Sequence, residues 1–253
     1  MRRTAAVKVL FGVLVFGVVI LVAGREWRPA GELVIATAVV GGLLALAGLR
    51  DRPRRSAMAA EAPRLRMRFS AEDRFGLLDE PFQRFRSTRR SYGQVENVLW
   101  GSWHDLEIRI FDHSYSASDD ERRSLSCVLV AIPGGWPTLV IRPETGSTKL
   151  ADLAVPDVAF ESEAFNRAFA VRCDDRAFAS TLVDARMMEW LLSLGHRWSF
   201  EIDRRWILGY RDQAQPWEIG GVLETAASFI RTIPRAVTSL YPETMPPRPD
   251  VRG

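Results

Sequence analysis

The chain has 253 residues, is 47% hydrophobic and 26% charged, and carries a net charge of +3, which leaves room for one domain of ordinary size plus further segments. The charge is unevenly placed: residues 1–68 hold 12 Lys/Arg against 4 Asp/Glu, whereas 69–253 hold 22 against 27. A mildly acidic folded part excludes a nucleic-acid-binding domain, where phosphate neutralisation dominates affinity. Two cysteines, Cys127 and Cys173, with no CxxC exclude a disulfide framework or a cysteine-based metal site.

In chain order, "AAVKVLFGVLVFGVVILVAG" (5–24) and "LVIATAVVGGLLALAGL" (33–49) are apolar apart from Lys8. The second run would be roughly 26 Å long as a helix, enough with its flanks for a hydrocarbon core of about 30 Å. Lys8 lies near an end of its run and can reach the headgroups. Both runs are expected to be transmembrane helices, because the backbone must satisfy itself in lipid. The loop between them holds Arg25, Arg28 and an interfacial Trp27, whereas seven arginines follow the second run by residue 68. The positive-inside rule then gives a plasma-membrane protein with both termini cytoplasmic. A rival reading makes the first run a cleaved signal peptide; residues 50–253 would still face the cytosol.

Residues 1–49 thus form a two-helix hairpin, and 50–94 a basic juxtamembrane linker. In the linker Arg50, Arg52, Arg54 and Arg55 fix topology and can attract anionic lipid headgroups. Phe75, Leu78, Phe82 and Phe85 recur at helical spacing, interrupted by Pro81. This amphipathic segment fits either the membrane surface or the neighbouring domain.

From residue 95 to 241 the pattern predicts an α+β domain. Strands are expected over 97–103, 106–116, 124–132 and 138–142, with a turn at "PGGWP" (133–137). "FESEAFNRAFAVRCDD" (160–175) packs acids, a cysteine and aromatics together. Ser162 reads as a helix N-cap, Phe165 and Phe169 share a face, and "FAVRC" is a short extended segment. Asp174 or Asp175 caps the next helix and Asp184 the one after, which Gly195 ends. Residues 198–202 and 205–210 read as a hairpin turning at Asp203-Arg204. Pro216 and Trp217 open a last helix with a wide apolar stripe from Ile219 to Ile233. The expectation is an antiparallel sheet of about six strands, helices on one side and a C-terminal helix against it. Residues 242–253 read as a disordered tail.

The motifs "ENVLWGSW", "FDHSY", "LSCVLV", "FESEAFNRAFAV" and "LVDARMMEWLL", in this order after a two-span hairpin, resemble an uncharacterised family of actinobacterial membrane proteins. The resemblance covers roughly residues 90–240. It implies a membrane location and a shared domain, and supplies no activity and no catalytic residue.

The residues themselves offer little chemistry. His104, His113 and His196 form neither HxH nor HExxH, and no phosphate-cradling glycine motif occurs. One enzymatic arrangement can be written: a membrane-tethered hydrolase with Cys173 as nucleophile, His196 as base and Asp174, Asp175 or Asp184 as orienting acid. Glu161 and Glu163 could be an acid/base pair, but at a helix start the dipole already explains them. The leading expectation is a non-catalytic binding or scaffold protein, or an accessory subunit of a membrane complex, with no cofactor. Ala36, Gly41, Gly42, Ala45 and Gly48 would give the second span a close-packing face.

Overall fold

The computed structural model describes residues 53–88, 93–118, 121–144 and 157–242. The expected hairpin, its loop, Arg50 and Arg52, residues 145–156 and the tail beyond 242 lie outside the described residues. Among the described residues no helix is long and apolar enough to cross a membrane.

Helix α1 covers residues 53–64. It is followed by β1 (Arg68–Glu72), a 3-10 turn (Leu77–Asp79) and α2 (Gln83–Thr88). Strands β2 (Gln94–Trp103), β3 (Leu106–Ser118) and β4 (Glu121–Pro143) come next. Then α3 (Glu163–Ala168), β5 (Phe169–Cys173), α4 (Arg176–Leu182) and α5 (Ala185–Ser193) lead to β6 (Ser199–Asp212). Helices α6 (Ile219–Thr232) and α7 (Arg235–Leu240) close the described chain. The six strands form one antiparallel sheet in the order β1-β2-β3-β4-β5, with β6 on the other side of β4.

The expected α+β class and antiparallel pairing hold in this region, but two expected turns do not exist. β4 runs unbroken through "PGGWP", and β6 runs unbroken through Asp203-Arg204. Opposite each other, the two strands bulge instead: the register slips between Ala131, Trp136 and Leu139 of β4, and Arg204 takes a left-handed φ of 53°. The slip has a packing reason. Phe200 and Ile202 join one core, whereas Trp206, Leu208 and Tyr210 join the core on the opposite face. Perfect alternation would have put all five on one face; the bulge reverses the phase.

A second correction concerns the helices, which were expected on one side only. One face of the sheet is covered by α1 and α3 to α7, through Met58, Phe165, Phe178, Met187, Val222, Phe229 and Val237 among others. The other face is covered by residues 75–85, with Leu77, Phe82 and Phe85 fully buried against Val98, Phe111 and Leu208. The amphipathic segment is therefore spent on the domain, and each buried phenylalanine contributes about 2–3 kcal/mol. It is a turn and a short helix separated at Pro81, which cannot sit inside a helix. The folded unit accordingly begins at Arg54, not at residue 95.

The local helix signals read correctly. Ser162, Asp175 and Asp184 accept the backbone N–H of Phe165, Phe178 and Met187 at 3.2, 2.9 and 2.8 Å. Gly195 ends α5 at φ 66°, where a side chain would be strained.

Candidate functional site

Among the described residues no hydrogen bond joins Cys173 to His196. Cys173 ends β5, while the His196 ring lies 6.0 Å from that of Phe169, which begins the same strand. Four residues of strand separate those ends by roughly 13 Å. Asp175 is occupied as the α4 cap and accepts the Tyr241 hydroxyl at 3.1 Å, and Asp184 caps α5. Burial pushes the Cys173 thiol up, against the backbone N–H of Asp175 and with the Asp175 and Asp174 charges, the opposite of what a thiolate nucleophile needs. Cys127 is fully buried and its thiol is also raised. Glu161 is exposed, and Glu163 makes a surface pair with Arg167 at 3.6 Å. His104 contacts Glu224 at 3.0 Å on the surface. Among the described residues no cluster of His, Cys, Asp and Glu could hold a metal.

What the fold does assemble is a basic cleft at the β1 side of the sheet. Arg68, Trp100 and Arg109 are direct cross-strand neighbours on β1, β2 and β3, so their side chains share one face. With Arg66, Phe75, Gly101, Glu107 and Ile108 they line a cavity of about 350 Å³. Arg109 is held hard. Its guanidinium lies 4.3 Å from the Phe75 ring centre and 4.8 Å from that of Trp206, and it donates to Glu107 at 3.1 Å. Arg74 covers Trp100 at 5.1 Å, and Phe75 meets Trp100 edge-on at 5.4 Å. Asp73 fixes this wall by accepting the backbone N–H groups of Phe75 and Leu77 at 3.0 and 2.7 Å.

Two further polar clusters are structural. Glu201, buried, accepts the Arg84 backbone N–H at 3.1 Å, Arg142 at 3.0 Å and the Tyr210 hydroxyl at 3.3 Å, tying α2 onto the sheet. Asp112, also buried, accepts both arms of Arg54 at 2.7 and 2.6 Å and the Asn97 amide at 2.9 Å. Arg54 also donates to the Ala214 carbonyl at 2.9 Å. Arg54 is thus committed to the domain rather than to headgroups, whereas Arg55 is exposed.

With this geometry in hand, a solved structure provides a comparison. The crystal structure of the mycobacterial trehalose monomycolate transport factor A, TtfA, matches with a TM-score of 0.52 at 12% identity, over 72% of this chain and 97% of that one. The two share a fold. No family model and no curated protein matches the sequence.

The cleft is not legible in the sequence, because its residues lie far apart in the chain and each fits another local role. Arg66 and Arg68 read as topology charges and Phe75 as part of an amphipathic segment, and nothing near Arg109 points to the other two strands.

Proposed function

We propose that the chain is a membrane-anchored, non-catalytic accessory factor serving a lipid-transport assembly of the cell envelope. The observation that carries this reading is the fold shared with TtfA along nearly that whole chain. Two apolar runs before residue 50 supply the anchor, and the arginine excess after them keeps residues 54–242 in the cytosol. The reading agrees with the resemblance to two-span actinobacterial membrane proteins. It also agrees with a domain many of whose polar side chains are engaged in caps, bulges and ion pairs.

Two measurements test it. Alkaline carbonate should leave the full-length protein in the membrane pellet, and protease added to intact cells should leave the carboxyl-terminal part whole. In cells depleted of the protein, a labelled envelope lipid should remain at the inner membrane and move outward once the protein is restored. Normal export in depleted cells would overturn the transport role, and release by carbonate would overturn the anchor.

A further inference from the structure

We infer that the cleft between β1 and the Phe75 wall binds the phosphate of an anionic phospholipid headgroup. The inference rests on the membrane anchoring proposed above and names what the domain does beside that membrane.

Three arginines, Arg66, Arg68 and Arg109, line the cavity with one acid, Glu107, so it carries a net charge of +2. Arg66 and Arg68 make no ion pair among the described residues. Their charges are placed by backbone: Arg68 by the ladder opposite Trp100, Arg66 by a left-handed φ of 54° just before β1. Arg109 is preorganised differently, its plane set by Phe75 and Trp206 and its end by Glu107. A guanidinium fixed in this way loses little freedom on accepting a tetrahedral anion, and its fork of donors matches phosphate oxygens. The Trp206 indole N–H, buried beside Arg109, has no acceptor among the described residues.

The walls decide between a free anion and a headgroup. Phe75 and Trp100 give the cavity an apolar lining next to the charges. Phosphate alone gains nothing from that surface, whereas a headgroup brings glycerol and the first carbons of its chains, which do. Its volume of about 350 Å³ lies at the small end of ligand sites, suited to a headgroup and not to whole acyl chains.

The test uses the full-length protein in maltoside micelles, titrated calorimetrically with short-chain dihexanoylphosphatidylglycerol. Dihexanoylphosphatidylcholine and inorganic phosphate serve as separate arms. Saturable binding of the anionic lipid is expected, at least tenfold tighter than either alternative. Arg66→Gln with Arg68→Gln should weaken it at least tenfold. Arg176→Gln with Arg235→Gln, which removes equal charge from exposed sites elsewhere, should change it less than twofold. Equal weakening by both pairs, or equal affinity for the zwitterionic lipid, would overturn the site. Phosphate binding as tightly as the lipid would overturn the headgroup assignment. A protein that stays in the membrane under carbonate but fails these titrations loses only the cleft assignment, not the anchor.

Discussion

His113 has no exposed surface and lies between the rings of Phe85 and Tyr115. The Gln94 carbonyl, 3.2 Å from Nδ1, can only accept, so Nδ1 carries the proton and Nε2 accepts from the Thr88 hydroxyl at 2.9 Å. Burial, with a smaller contribution from the Arg84 charge and against the Gln94 bond, lowers the pKa of the ring to about 4. A histidine held neutral by folding stabilises the fold fully above its unfolded value near pH 6.5. That contribution is lost as pH falls toward 4, by up to about 3 kcal/mol. Urea denaturation should show it: the stability advantage of wild type over His113→Gln narrows from pH 7 to pH 4, and a constant gap would refute it. Gly134 is a second sensitive residue. A Cβ there would stand 2.7 Å from Trp136 Nε1 and 2.9 Å from its Cδ1, so Gly134→Ala should cost about 1–3 kcal/mol in thermal unfolding. Residue-level readings from sequence succeeded where the signal is local. A Ser or Asp at a helix start needs only the next three residues to act as a cap, as Ser162, Asp175 and Asp184 do. They failed for His113, whose partners come from Thr88 and Gln94, across a break in the pattern.

The bulges opposed on β4 and β6 set the limit of legibility at the scale of elements. "PGGWP" and "DRR" carry the residues of turns, and only the pairing of one with the other shows that both are kinks within long strands. Arg204, at φ 53°, sits where glycine is at ease and a larger side chain is strained by about 1 kcal/mol or more. Arg204→Gly should therefore raise the midpoint of unfolding slightly. Deleting Arg204 should abolish folding, because Trp206, Leu208 and Tyr210 would then point to the wrong face. Soluble, cooperatively unfolding protein from the deletion would show that the phase reversal is dispensable. Asn97 supplies a third kink, at φ 55° in β2, where the β2–β3 register slips between Glu96 and Leu99. Its amide holds Asp112 there, a reason for asparagine that no periodicity reveals.

At the scale of the whole molecule, the ion pair between Arg54 and Asp112 fastens the start of the folded unit to its sheet. Arg54 keeps 19% of its side chain exposed and Asp112 only 6%, so removing the guanidinium strands a buried carboxylate. Arg54→Ala should cost about 3 kcal/mol, and the doubly substituted Arg54→Met, Asp112→Leu chain should recover much of it. A double-mutant cycle by thermal denaturation measures the coupling, and additive effects would show that the pair is idle. The sequence made this arginine one of several basic linker residues, since nothing near position 54 announces a partner 58 residues away. The same holds for the second covered face: Leu77, Phe82 and Phe85 look equally ready for lipid or protein until the surface beneath them is known.

Arg54 also reaches the carbonyl of Ala214, 160 residues further on. A ribosome adding about 5–20 residues per second needs roughly 8–30 s to span that interval. Arg54 thus leaves the ribosome long before the strand that completes the sheet is made. During that time the nascent domain has an unfinished edge along β4, and a chain stalled before Ser199 should be degraded or bound by chaperones rather than persist as a shortened working form.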